Sequence, residues 1–246
     1  MSAAAATRPG LILQHGHSSP PGLFGEWAQS RGVPVEVHRT FTDGAAPYAA
    51  DARVPEMPET AGRAFVCCLG SKHSPLDREV PVVTATIALI ARAVEQDVPV
   101  LGLCYGGQVL ADVLGGVVEP APEAELGWHN FETDDPGRVP AGPWLEWHYQ
   151  RFTLPRGAQE LARSAAGVQA FSSGPHLGTQ FHPESTIEIV KQWASSDRER
   201  LESLGITDAE QRLEDGRVGA HSARANAFQL FDDFWERTQR TERREP

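Results

Sequence analysis

One cysteine of the chain lies where a catalytic nucleophile is expected. Cys104 follows the apolar run of residues 99–103 and precedes residues 108–114, whose apolar side chains recur at helical spacing. A buried strand, a tight turn and a helix form the geometry of a nucleophile elbow. The helix directs its N-terminal amides and its positive dipole end at the sulfur, which favours the reactive thiolate. Gly102 and Gly106 supply the small neighbours that such a tightly packed turn needs.

A second motif, at residues 180–184, supplies a base for this nucleophile. Pro183 disfavours a helical conformation at His182 and keeps it extended, and alternate residues of an extended chain project to the same side. Glu184 can therefore accept from one ring nitrogen of His182 while the other nitrogen faces Cys104. The pattern permits a Cys-His-Glu triad for acyl transfer.

Each motif alone has a simpler explanation. A lone cysteine after a buried strand is more often an inert core residue, and a short Gly-x-Cys-x-Gly match is weak. His-Pro-Glu by itself is an ordinary turn sequence. Because the two motifs follow two predicted strands of one α/β domain, their combination favours catalysis over either simpler explanation.

Composition and charge narrow the class of protein. The 246 residues carry a formal net charge of −11, which is enough chain for one large domain and argues against nucleic acid or an anionic membrane as partner. Residues 1–8 lack the apolar core of a secretory signal, and no apolar run reaches the length of a membrane span. The three cysteines form no disulfide or zinc-ligand pattern, so we expect a cytoplasmic protein with no cofactor and no metal.

Strands and helices alternate in the first half of the chain. The predicted strands are residues 10–15, 33–38, 64–69 and 99–103, and the predicted helices are residues 23–30, 84–96 and 108–114. This order predicts an α/β fold with a mostly parallel central sheet flanked by helices. Ligands of such sheets bind beyond the carboxyl ends of the strands, where Cys104 and the loop at Gly70 both lie.

The second half is less regular. We expect a loop with a short helix at residues 41–59, an irregular segment at 117–139, a small antiparallel sheet from residues 151–154, 168–171 and 177–181, and a helix at 186–194. The chain is divided into a domain at residues 8–195 and a C-terminal helical extension at 196–246. The extension carries an apolar stripe, which we expect to dock on the domain rather than to form a partner-binding helix: Ala227, Phe228, Leu230, Phe231, Phe234 and Trp235.

The two motifs together resemble the signature of a known enzyme family. Residues 102–108 (GLCYGGQ) with residues 180–184 (QFHPE) are similar to the paired motifs of the class I, or triad, glutamine amidotransferases. Shorter matching words place the chain near a stand-alone branch similar to the amidotransferase domain of GMP synthetase: residues 13–15, 21–23, 125–128, 146–148 and 152–155. The resemblance covers residues 11 to 184 and implies the flavodoxin-like fold of that family.

The resemblance implies a reaction and a site. Thiolate Cys104 attacks the γ-amide of glutamine, a γ-glutamyl thioester forms, and His182, oriented by Glu184, protonates the departing ammonia before water releases glutamate. The resemblance assigns the oxyanion hole to Gly70, Ser71 and Tyr105, and the wall around the amino-acid end of the substrate to Gln108, Trp147, His148, Tyr149 and Gln150.

Two departures from the family pattern concern the pocket. Relatives usually have Gly-Gly-Pro where this chain has Gly70, Ser71 and Lys72, and a small residue followed by Asp where it has Tyr149 and Gln150. The larger ring and the missing negative charge alter the surroundings of the substrate's α-ammonium group. A γ-glutamyl amide or peptide is therefore an alternative substrate to free glutamine.

Three functions follow as hypotheses. The first is a glutaminase-type enzyme that passes ammonia to a separate synthetase, because no P-loop motif occurs and few residues follow the second motif. The second is a hydrolase of substituted γ-glutamyl compounds. The third is a catalytically idle binding subunit, against which the intact Cys-His-Glu set argues.

Overall fold

The apolar segments of the first half form parallel strands, as their sequence predicts. The structure is a computed structural model that describes residues 8–41, 53–203, 205–206 and 219–242. The first four strands are β1 (Gly10–Gln14), β2 (Val35–Arg39), β3 (Val66–Cys68) and β4 (Val100–Leu103). All pairings among them are parallel, with β1 between β2 and β3 and β4 beyond β3. The runs of apolar residues are continuous rather than alternating because β1, β3 and β4 are buried on both faces.

The helices between these strands lie where the sequence predicts them, although the second and third begin three residues earlier than expected. They are α1 (Gly22–Arg31), α2 (Pro81–Glu95) and α3 (Tyr105–Val113). Gly32 ends α1 in the left-handed conformation at φ 65°, which a residue without Cβ adopts without strain. Pro81 occupies the first turn of α2, where its missing N–H costs nothing.

The second half extends the same sheet and adds a separate one. Its strands are β5 (Val118–His129), β6 (Glu132–Thr133), β7 (Trp144–Phe152), β8 (Gln159–Ser164), β9 (Gly167–Ser173) and β10 (His176–Thr179). The main sheet has the order β2-β1-β3-β4-β10-β9-β8-β6, and β5 pairs with β7 in a two-stranded antiparallel sheet. The predicted fold class is confirmed: a mostly parallel sheet with flanking helices and a small antiparallel sheet.

Two details of the second half differ from the sequence interpretation. The segment at residues 117–139, which showed no clear period, contains the long strand β5, and its register is interrupted between Pro120 and Glu125, which hides the alternation. The strands expected to form the small antiparallel sheet mostly join the main one: β10 runs parallel to β4 with Thr179 opposite Leu103. This pairing places the residues after β10 beside the residues after β4.

Helices cover both faces of the main sheet. The remaining helices are α4 (Ile187–Ser196), α5 (Arg198–Ser203) and α6 (Ala220–Glu242). One face packs against α1 and α6, whose Phe24, Trp27, Phe231 and Phe234 share a core with Phe65. The opposite face packs against α2 and α3 through a second apolar cluster.

The apolar stripe of the C-terminal segment packs against the core that α1 shares with the sheet. Ala227, Leu230, Phe231 and Phe234 are buried, and Phe228 and Trp235 pack partly buried at the margin of the same core. The predicted loop at 41–59 falls in part on residues 42–52, outside the described residues, and residues 204 and 207–218 of the C-terminal segment lie outside them too. In the ranges that the structure covers, none of the helices combines the length and apolar character that a bilayer crossing requires.

Candidate active site

The turn between β4 and α3 holds Cys104 in an unusual backbone conformation. Cys104 has φ 50° and ψ −106°, in a region that side chains other than glycine rarely adopt. Its N–H donates to Thr179 O at 2.9 Å, which ties the turn to β10. A Cβ at Gly102 would overlap the carbonyl oxygen of Gly106, and one at Gly106 would overlap that of Cys68. The glycines are therefore required for the close approach of α3 to the sheet, as the sequence analysis expected.

The three thiols have different surroundings. Cys67 and Cys68 are fully enclosed in β3, and burial raises the pKa of both thiols. Cys104 is 7 % exposed and lies at the N-terminus of α3 in the wall of a cavity of about 330 Å³. Only Cys104 of the three thus combines access to a cavity with a helix N-terminus.

His182 and Glu184 lie beside Cys104 at the carboxyl end of β10. The Nδ1 of His182 is 2.8 Å from Glu184 Oε1, and the ring is within hydrogen-bonding reach of the Cys104 thiol. Burial disfavours a charged ring, but the Cys104 and Glu184 charges outweigh burial and raise the pKa of His182 well above its usual value. The group can therefore hold a thiolate–imidazolium pair.

Packing fixes the imidazole ring of His182 in this position. The N–H of His182 donates to Leu145 O at 2.9 Å, and Ser185 Oγ donates to His182 O at 2.8 Å. The indole of Trp193, on α4, lies against the ring with centroids 4.6 Å apart, and its Nε1 donates to Ser18 O at 2.7 Å. The ring is thus held by backbone, carboxylate and aromatic contacts.

The loop after β3 lies against the other side of this group. A Cβ at Gly70 would be 2.9 Å from His182 Cε1, so glycine lets the loop approach the ring closely. Ser71 Oγ accepts from His73 N at 3.2 Å. Among the described residues other than glycine, positive φ occurs at Asp97 and Cys104, so Ser71 replaces glycine in this loop without left-handed strain.

The remaining predicted residues line the same cavity. Its wall includes Gly70, Ser71, Cys104, Tyr105, Gln108, Trp147, His148, Tyr149, Gln150 and His182. The structure therefore brings together every residue that the family resemblance proposed, apart from Glu184, which lies behind His182. The cavity has the volume of a small-molecule site.

Sequence reasoning missed several residues in this wall or directly behind it. Trp193 lies on an amphipathic helix where nothing distinguishes it from a core residue. Lys72 pairs with Asp197 at 2.7 Å, and Trp147 Nε1 donates to the same carboxylate at 3.2 Å. Gln180 stands in the second motif without an assigned role, and its Nε2 lies 3.8 Å from Cys104 Sγ.

A buried charged cluster lies behind the wall. His148 Nε2 is 3.0 Å from Glu146 Oε2 and 3.1 Å from Glu125 Oε2. Burial lowers the pKa of His148, but Glu146 and Glu125 more than offset this and raise it to about 10. In the part of the chain that the structure describes, these three residues are the one group with ligand atoms close enough to hold a metal, and the proton on His148 offsets part of the charge of the two carboxylates.

Fold and site define an α/β domain with a cysteine elbow facing a His-Glu pair, and comparisons with known proteins identify the family. Residues 71–192 match the family model described as "Glutamine amidotransferase class-I". A protein of Thermomicrobium roseum named GMP synthase [glutamine-hydrolyzing] is 43% identical over 97 residues, 37% of this chain and 18% of that protein. The match thus spans about a fifth of that curated relative.

Solved structures agree over nearly the whole chain. A glutamine amido transferase from Methylobacillus flagellatus superposes with a TM-score of 0.77 at 28% identity, covering 95% of this chain and 96% of the other. A glutamine amidotransferase from Thermotoga maritima has the same fold, with a TM-score of 0.78 at 23% identity over 94% of this chain and 100% of its own. The chain therefore contains a class I glutamine amidotransferase domain similar to that of GMP synthases, and the resemblance drawn from the motifs is confirmed.

Proposed function

We propose that this protein hydrolyses the γ-amide of glutamine through Cys104, His182 and Glu184, and delivers ammonia to a separate synthetase. The observation that carries the proposal is the juxtaposition of the three groups: the thiol within reach of the imidazole, and the imidazole 2.8 Å from the carboxylate, at the wall of one cavity. The family match and the name of the GMP synthase relative support a glutamine substrate and a synthetase partner.

The reaction needs one proton carrier and one nucleophile. His182 takes the Cys104 proton, and the sulfur attacks the γ-carbonyl carbon to give a tetrahedral oxyanion. The imidazolium then protonates the leaving nitrogen, and ammonia departs from a γ-glutamyl thioester. His182 next removes a proton from water, which attacks the thioester and releases glutamate and the thiolate. Glu184 keeps the ring in one orientation and stabilises its charged form.

The backbone N–H groups of Tyr105 and of the loop at Gly70 and Ser71 are the proposed oxyanion donors. Tyr105 is the first residue of α3, so its N–H has no acceptor within the helix. Two neighbouring donors at the same end of the sheet suit an oxyanion that forms next to Cys104. Among the described residues, Gln108 Oε1 takes no hydrogen bond, so it is free to accept from the substrate's α-ammonium group.

A substrate panel tests the proposal. Purified protein is incubated separately with glutamine and with γ-glutamyl amines, and glutamate release is measured for the wild type and for Cys104→Ala. We expect glutamine turnover by the wild type and a loss of about 10³-fold or more in the variant. Cys104 contributes little packing, so circular dichroism and thermal unfolding should show the variant folded.

The same panel separates the alternative substrates. Tyr149 and Gln150 line the cavity, and turnover of bulkier γ-glutamyl amides without turnover of glutamine would overturn the glutaminase assignment while leaving the acyl-transfer chemistry. Absence of glutamate release from every compound would favour the idle subunit, unless addition of a synthetase partner restores activity.

A further inference from the structure

Two buried glutamine side chains connect a backbone carbonyl to the sulfur of Cys104. Gln108 Nε2 donates to the carbonyl oxygen of Gln150 at 3.3 Å and to Gln180 Oε1 at 3.3 Å. Gln180 Nε2 lies 3.8 Å from Cys104 Sγ, within the range of a hydrogen bond to sulfur. Both glutamines are buried, and Gln180 is wholly inaccessible to solvent, so water does not compete for these contacts.

The carbonyl group of Gln150 determines the orientation of the side-chain amides of Gln108 and Gln180. A carbonyl oxygen accepts and never donates, so Gln108 must present its NH₂ group to Gln150. The second hydrogen of that group goes to Gln180, which must turn its oxygen towards Gln108 and its own NH₂ group towards Cys104. The sulfur therefore faces a hydrogen-bond donor.

The buried cluster of His148, Glu125 and Glu146 holds the carbonyl group of Gln150 in position. His148 Nδ1 lies 2.9 Å from Gln150 O, while its Nε2 faces Glu125 and Glu146. A neutral imidazole has one bare nitrogen, which would face either the carbonyl or the carboxylates. With protons on both nitrogens His148 donates in both directions, and the carbonyl of Gln150 receives two N–H groups.

We propose that Gln180 is a catalytic donor to the nucleophile: its side-chain N–H stabilises negative charge on Cys104 Sγ, and Gln108 together with the carbonyl of Gln150 sets its orientation. Negative charge develops on the sulfur when His182 takes the thiol proton and again when the thioester is hydrolysed. For its effect on turnover the inference rests on the proposed function, but the contact itself concerns the free enzyme.

Alkylation of the free enzyme tests the contact without a substrate. Wild type, Gln180→Glu and Gln180→Met are treated with iodoacetamide over a range of pH, and labelling of the Cys104 peptide is followed by mass spectrometry. Loss of a hydrogen bond to a charged group should move the midpoint of the pH profile upwards by about one unit in Gln180→Met, and the added carboxylate should move it further in Gln180→Glu. Gln180→Met removes the donor without adding charge, so it carries the test if Gln180→Glu does not fold.

The other ionisable groups near the sulfur are the same in the wild type and in the Gln180 variants. His182 and His148 act electrostatically on Cys104, Glu184 lies behind His182, and further ionisable side chains line the same cavity: Lys72, His73, Asp77, Tyr105 and Asp197. A shift between wild type and variant is therefore assigned to residue 180.

A matched control makes the same change of charge at a glutamine that lies before β4, whereas Cys104 follows it. Gln96, at the C-terminus of α2 and before β4, accepts from Thr60 Oγ1, so Gln96→Glu keeps that bond and should leave the alkylation profile unchanged. An unchanged midpoint in folded Gln180 variants would overturn the proposal. If the midpoint moves but the wild type releases no glutamate, the donor role of Gln180 is supported and the proposed function fails. If glutamine is turned over but the midpoints do not move, the proposed function is supported and the donor role of Gln180 fails.

Discussion

At the scale of the residue, the backbone of Cys104 distinguishes it from the other two thiols. Its φ of 50° is held by the N–H bond to Thr179 O and by the glycines around the turn. Strain of this kind persists only where the surrounding structure imposes it. Cys67 and Cys68 lie in regular strand, enclosed on all sides. The turn therefore singles out Cys104 by its conformation as well as by its access to the cavity.

Replacing Glu184 by Gln should impair His182 without removing it. The amide cannot stabilise the imidazolium, and the pKa of His182 should fall because one of the charges that raises it is lost. We expect a loss of about 10²–10⁴-fold in kcat for glutamine with a smaller change in KM. Steady-state glutamate release measures both, and a kcat within twofold of wild type would contradict the role given to Glu184.

The cluster around His148 should make the stability of the protein depend on pH. Its pKa is raised from the ordinary value of 6.5 to about 10, so its stabilising effect is complete below pH 6.5 and is lost as pH rises towards 10. The thermal unfolding midpoint should fall by about 10 °C or more over that window. In Glu146→Gln the fall should be smaller, because one carboxylate no longer favours the imidazolium.

Glu119→Gln is the control for this measurement. Glu119 lies on β5 in a partly exposed pair with Arg151, and its loss should lower stability by less than about 1 kcal/mol without changing the slope against pH. A slope for Glu146→Gln equal to that of the wild type would contradict the assignment of a protonated His148.

At the scale of the element, the contact of α3 with the sheet depends on glycine. Gly106→Ala would place a methyl group on the carbonyl oxygen of Cys68, and backbone cannot move aside as a flexible side chain would. We expect a loss of about 2–4 kcal/mol in the free energy of unfolding, measured in urea. Gly137→Ala, whose Cβ would meet Asp135 Oδ1 at an ordinary 3.4 Å, should change it by less than about 0.5 kcal/mol.

The C-terminal helix α6 should contribute to the stability of the whole domain. Phe231 is fully buried, with its ring centroid 5.0 Å from that of Phe24 on α1. Phe231→Ala should destabilise the protein by about 3–5 kcal/mol, whereas Phe228→Ala, at the margin of the core, should cost about 1 kcal/mol. Equal effects of the two changes would mean that α6 packs differently, and a separate unfolding step for the variant would mark residues 196–246 as an independent unit.

At the scale of the whole molecule, the sequence predicts those features of the fold that depend on the periodicity of apolar residues and on local motifs. The continuous apolar runs of β1, β3 and β4 have one interpretation, and Gly32 marks the end of α1. The order of strands in the sheet could not be predicted in this way, because pairing between strands that are distant in sequence leaves no local pattern. The sequence indicated that residues 177–181 are extended, but only the structure shows β10 parallel to β4.

The same distinction applies to the site. Cys104, His182 and Glu184 lie in two recognisable motifs, and family resemblance supplied most of the cavity wall. Trp193 and Asp197 come from the end of α4, whose position over the cavity depends on tertiary packing through Ser18 and Lys72. The hydrogen bonds that connect Gln150 to the sulfur through Gln108 and Gln180 begin at a backbone carbonyl, which no pattern of side chains reveals.

The central claim is that Cys104 is the nucleophile that glutamine meets. A diazo-ketone analogue of glutamine tests it most directly, since it alkylates a thiolate positioned to attack the γ-carbon. We expect one label per chain on Cys104, loss of glutamate release in proportion to labelling, protection by glutamine and no labelling of Cys104→Ala. Folded wild-type protein that remains unlabelled at Cys104, or that is labelled elsewhere as activity disappears, would contradict the account.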